Sequence, residues 1–205
     1  MASSTITGTG VVKGTITTAA EFAIFLGESS LTNADQAQQA LEVASDYIRN
    51  MTNREFVLAE NALTATEIFN GNGRKIYIPR QGPVISVTSI EYWDYGLEAW
   101  DELDTSLYTI TTDGNKIFYR ELIPFHEGVN NWRIIYTFGF SGSIPDDLKY
   151  AANLKAKEMT DIAGEESIVQ QSDGEQSFTY LRPRKTNKMV DEILKRYIRY
   201  HGNHG

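Results

Sequence analysis

Trp132 to Met159 reads WRIIYTFGFSGSIPDDLKYAANLKAKEM, and the whole chain is arranged around this junction. Trp132, Ile134, Tyr136 and Phe138 alternate with Arg133, Ile135 and Thr137. That is the period of a strand with one apolar face. Gly139, Gly142 and two serines then break the chain. Pro145 has the fixed φ of a first helical turn, and Asp146 and Asp147 sit where helix amide ends favour negative charge. Leu148, Ala151, Ala152, Met159 and Ile162 follow at helical spacing, so the junction predicts strand, turn and helix over 145–163.

The segment before this junction carries helices first. Thr18 and Glu21 form a capping box ahead of Phe22, Ile24, Phe25 and Leu26, and Gly27 can end that short helix. Thr32 with Asp35 is a weaker start signal for a stripe of Ala37, Leu41, Ala44, Ile48 and Met51. Together these give helices within 18–53. The β region spans 64–138, with strands expected at Thr66–Phe69, Lys75–Ile78, Val84–Trp93, Leu107–Thr111 and Lys116–Arg120 besides Trp132–Phe138. Asn70–Gly73, Gly82-Pro83 and Asp113–Asn115 supply the turns. About six short strands suffice for a small antiparallel sheet or sandwich. Residues 1–17, rich in Thr, Ser and Gly, read as a flexible arm. Tyr95–Asp104 reads as an acidic, aromatic long loop, and 165–186 as a polar excursion or hairpin. The amphipathic helix and tail take 187–205, with Val190, Ile193, Leu194, Tyr197 and Ile198 on one stripe. The fold class is therefore α+β. A small bundle of about three to four helices carries the antiparallel β-structure between its second and third helices.

Composition excludes several functions. The 205 residues contain no cysteine, which removes disulfides, thiol catalysis and thiolate metal sites. No apolar run approaches a membrane span of about 20 residues. The opening MASSTITGTGVVKG has neither the basic start nor the apolar core of a signal peptide. A net charge of -8 argues against a surface built wholly for nucleic acid. The charge is unevenly placed: Arg182–Gly205 holds seven Lys/Arg and two Asp/Glu, against twelve and twenty-five elsewhere.

Signals for catalysis are weak. Gly139–Ser143 fails the G-x-S-x-G pattern at Ser143. Asp146 and Asp147, adjacent on a helix, point about 100° apart and do not converge. His201 and His204 lie among glycines, His126 stands alone, and Asn70–Gly73 lacks the GK[ST] of a phosphate loop. Trp93, Trp100 and Trp132 could line a glycan platform, but core or interface anchoring is the simpler reading. No catalytic residue, cofactor or metal site is expected, and the chain does not read as an enzyme.

The order of features resembles the head–tail connector, or adaptor, family of tailed bacteriophages. The likeness rests on Tyr47–Phe56 (YIRNMTNREF), Tyr77–Ile90 (YIPRQGPVISVTSI) and Ile135–Ala152 (IYTFGFSGSIPDDLKYAA), and spans residues 30–200. The resemblance implies a structural protein of the virion neck, assembled in the host cytoplasm. Such adaptors form a ring of about twelve copies on the portal, extend the DNA channel and receive the next neck or tail protein. Genomic DNA passes through without sequence-specific binding. The other readings are a different neck or tail ring such as a stopper, and a glycan-binding module. Within the adaptor reading the expected portal-docking element is the basic, amphipathic C-terminal segment. Its cations are Arg182, Arg184, Lys185, Lys188, Lys195, Arg196 and Arg199. Its apolar anchors are Val190, Ile193, Leu194, Tyr197 and Ile198.

Overall fold

A computed structural model describes residues 3–7, 14–120, 125–165 and 188–198. Contacts divide the described residues into two units: residues 3–7 with 54–143, and residues 14–53 with 144–198.

The first unit is β. Its strands are β1 (Ser3–Thr7), β2 (Leu63–Gly71), β3 (Ile76–Tyr77), β4 (Val84–Asp94), β5 (Ala99–Glu102), β6 (Tyr108–Ile110), β7 (Ile117–Tyr119) and β8 (Gly128–Phe138). They form an antiparallel five-stranded sheet, β1-β2-β8-β4-β5, and an antiparallel three-stranded sheet, β3-β7-β6. The alternation in β8 sets the core. Trp132, Ile134, Tyr136 and Phe138 are each at most 2% exposed. Tyr136 is flanked by Ala65 of β2 and Val87 of β4, and Trp132 by Phe69 and Tyr92. Tyr77, Tyr108, Ile117 and Tyr119 of the smaller sheet enter the same core, so both sheets bury their apolar faces together.

One turn needs glycine for lack of space. A Cβ on Gly71 would lie 1.7 Å from the His126 carbonyl oxygen. That oxygen also accepts the Trp132 indole N–H at 3.1 Å.

The second unit is helical: α1 (Ala19–Leu26), α2 (Ala34–Thr52), α3 (Asp146–Glu165) and α4 (Lys188–Lys195). The capping box of Thr18 and Glu21 is formed, and Gly27 closes α1 in the left-handed conformation at φ 77°. Ala37, Ala40, Leu41, Ala44 and Ile48 line the buried side of α2, and Ala151, Ala152 and Ala156 that of α3. Alanine faces let α2 and α3 pack closely, and the two helices are in direct contact. Lys149 N–H bonds the Pro145 carbonyl at 3.1 Å, which opens α3 where the sequence places it.

Three expectations change. Residues 1–17 are not all a free arm: Ser3–Thr7 add an edge strand to β2, with Ile6 packed against the core. Ile16 and Thr17 are buried as well, Ile16 N–H bonding Ser45 Oγ at 3.0 Å. Tyr95–Asp104 is not a long loop, because Ala99–Glu102 pair with β4 as a hairpin. Besides the backbone ladder, the Trp93–Trp100 contact, the Tyr92 hydroxyl on Asp101 and the Arg133 guanidinium over Trp100 hold it. The cap of α2 is Asn33, whose side chain accepts from Gln36 N–H at 3.3 Å, rather than Thr32. The 165–186 excursion lies outside the described residues from 166 onward.

Candidate functional site

The candidate partner surface begins with α4. Its sequence stripe does fall on one side, and that side is used by the chain itself. Val190, Ile193 and Leu194 are 2%, 8% and 1% exposed, and α4 contacts both α2 and α3. Just beyond the helix, Tyr197 donates its hydroxyl to Asp147 Oδ1 at 2.5 Å. Arg196 lies 3.7 Å from Asp147 Oδ2 while remaining 72% exposed. Ile198 is half-buried, and Lys188 and Lys195 are exposed. The apolar members of the expected docking set therefore hold α4 in its own unit, leaving Lys188, Lys195 and Arg196 facing solvent. Arg182, Arg184, Lys185 and Arg199 lie outside the described residues.

The other sequence candidates are dispersed. Asp147 is committed to the Leu148 amide at 2.9 Å and to Tyr197, while Asp146 is exposed. No group of three His, Asp or Glu that could hold a metal occurs among the described residues. Trp132 is core. Trp93 and Trp100 meet edge to face at 73°, and the Arg133 guanidinium covers the Trp100 ring at 4.6 Å. Arg133 also pairs with the buried Glu91 across the sheet. Two perpendicular rings with one face occupied do not make the flat stacking platform a sugar needs.

Glu67, in the middle of β2, belongs to no motif the sequence singles out. It is 1% exposed, with both carboxylate oxygens bonded. Tyr77 and Tyr136 donate their hydroxyls to it, and the Arg80 amide donates at 3.0 Å. Tyr136 in turn accepts from the Gln81 amide at 3.0 Å. Beside this turn, Arg54 donates to the Gly82 carbonyl at 2.6 Å, and Gln81 Oε1 accepts the Glu55 amide at 2.8 Å. The buried acid thus ties down the 77–83 turn. Parity carried the signal: Leu63, Ala65, Glu67 and Phe69 share the inward row of β2.

The family model described as "Head completion protein" matches residues 15–199. Among solved structures, a chain from the neck of an empty gene transfer agent particle, computed with C6 symmetry, matches with a TM-score of 0.57 at 16% identity, covering 98% of both chains. A chain from the native gene transfer agent virion matches with a TM-score of 0.56 at 16% identity, again over 98% of each. A chain from the neck of the native particle, computed with C12 symmetry, gives 0.56 at 16% identity, over 100% of this chain and 98% of that one. At such identity these likenesses establish a shared fold. No curated protein matches. The likeness carried by Tyr47–Phe56, Tyr77–Ile90 and Ile135–Ala152 holds, and the chain belongs to the head completion protein family.

Proposed function

We propose that the chain is a structural protein of the virion neck, forming a ring of about twelve copies on the portal that extends the DNA channel toward the tail. The observation that carries this reading is the family match over 185 residues, 15–199. The shared fold with neck chains, one of them from a neck computed with C12 symmetry, supports it. The net charge of -8 supports passage of DNA without retention, because few cations are available to replace phosphate counterions.

Portal docking falls to the basic side of the C-terminal segment. Lys188, Lys195 and Arg196 supply exposed cations on α4, and Arg182, Arg184, Lys185 and Arg199 add to them in sequence. The buried stripe holds the helix in place while the cations steer it toward an acidic surface. Co-sedimentation with the cognate portal ring tests this. The wild-type chain should sediment with the ring, and the triple variant K188E/K195E/R196E should bind about tenfold more weakly at low salt, the gap closing as salt rises. Equal binding of the two proteins at low salt would place docking on another surface.

A further inference from the structure

The three-stranded sheet buries one face and leaves the other open. Tyr77, Tyr108, Ile117 and Tyr119 point into the core. Between them, Ile76 is level with Phe118, and Phe118 with Thr109. Arg74 and Arg120 lie just beyond the paired residues at one end, and Ile78 and Lys116 just beyond them at the other. Ile76 and Ile78 are 41% and 48% exposed. Arg74, Lys116 and Arg120 are exposed too, and none has an ion pair among the described residues. The nearby Asp113 carboxylate is engaged within its own turn, by the Thr111 hydroxyl at 2.5 Å and the Asn115 amide at 3.0 Å. The open face is thus an apolar centre with a basic rim, in want of carboxylates.

The β4–β5 hairpin carries the opposite character. Its tip exposes Tyr95 by 69% and Leu97 by 73%. The tip is held in shape: Asp94 Oδ1 accepts the amides of Gly96 and Leu97 at 2.6 and 3.1 Å, and Glu98 takes the left-handed conformation at φ 49°. Glu98, Asp101 and Glu102 flank it, all exposed. From Glu91 to Asn115 there are seven Asp/Glu and no Lys or Arg. An apolar knob between carboxylates is an unusual thing to leave in water.

We propose that the hairpin tip of one copy docks on the open face of the three-stranded sheet of a second copy. Tyr95 and Leu97 cover Ile76, Ile78 and Phe118, while Glu98 and Glu102 meet Arg74 and Arg120. The occupant is a second copy because both halves of the match belong to this chain and both stand exposed within one chain. A face that closes a ring must fit a different face of the same chain, which this pairing does. The proposal rests on the ring reading and names the contact that would close it.

The absence of cysteine allows a clean test. Variants Leu97→Cys and Ile78→Cys are assembled on the cognate portal separately and as an equal mixture, then oxidised and run without reductant. Each variant carries one thiol, so no cross-link can form within a chain. Dimers in the mixture at about tenfold the level of either variant alone are expected. A charge swap is the second arm: E98K/E102K should form about tenfold fewer rings, and adding R74E/R120E to the same chain should restore them. Rings that form normally without the mixed cross-link, or a double reversal that fails to rescue, would overturn the contact while leaving the ring reading intact. Failure of the wild-type chain to form any ring on portal would instead remove the ring reading, and the contact with it.

Discussion

The Tyr136 hydroxyl donates to the carboxylate of Glu67, and both residues are at most 1% exposed in the β-unit. One comes from near the C-terminal end of β8 and the other from the inward row of β2, so a polar bond sits inside the core. Both Glu67 carboxylate oxygens accept hydrogen bonds, which offsets the cost of burying the acid.

Tyr136→Phe should therefore cost about 1–3 kcal/mol, since it leaves a buried carboxylate and the Gln81 amide each short of a partner. Tyr136→Ala should cost about 3–5 kcal/mol, adding a cavity to the lost bond. Chemical denaturation measures both. A loss below about 1 kcal/mol for the alanine variant would put this strand face at the surface.

Burial first, and then the Glu67 carboxylate, hold the Tyr77 phenol well above its ordinary value of 10.0. The sign follows from the raised value. The folded protein keeps the proton where the unfolded chain releases it. The stabilisation is complete below about pH 10 and is lost as pH rises beyond it. Tyr77→Phe should lower stability at neutral pH and flatten the alkaline limb of a pH–stability curve. An alkaline limb of unchanged slope would show that another group carries it.

Glu21 governs the acid side. Partial burial opposes its ionisation, but bonds from Lys149 Nζ, the Thr18 amide and the Thr17 hydroxyl outweigh this and lower it to about 2. A depressed carboxylate stabilises the fold above its unfolded value near 4.5 and loses that contribution as pH falls toward 2. Glu21→Gln should thus lose stability at pH 7 relative to wild type, and the difference should shrink progressively below pH 4.5. Thr18→Ala should cost about 1 kcal/mol by removing the other half of the box. Thermal melts across pH check both, and a Glu21→Gln difference independent of pH would contradict the assignment.

The strands and helices that were legible in the sequence are those whose pattern is complete within one element. Trp132–Phe138 shows its alternation in seven residues, and Thr18 to Gly27 carries both caps of α1. Ser3–Thr7 and Ala99–Glu102 were not legible, because edge strands need no apolar row and gain their structure from the neighbour they pair with. The same limit applies to α4. Periodicity revealed that Val190, Ile193 and Leu194 share a face but not whether that face meets the chain's own helices or a partner. Only their burial against α2 and α3 decides it.

That burial changes what removing α4 should do. Leu194 is 1% exposed, and Leu194→Ala should destabilise the helical unit by about 2–5 kcal/mol. A chain ending at Pro183 should lose the cooperative melt of that unit rather than only its affinity for portal. A truncated chain with an unchanged melting transition would show that the helix contributes nothing to the fold.

Averaged electron micrographs of the purified protein mixed with its cognate portal test the proposed closure of copies of this chain into a ring at the neck. A closed ring coaxial with the portal, with about twelve copies around an open channel, is expected. Portal rings with no added density, or with single copies attached at irregular positions, would contradict it.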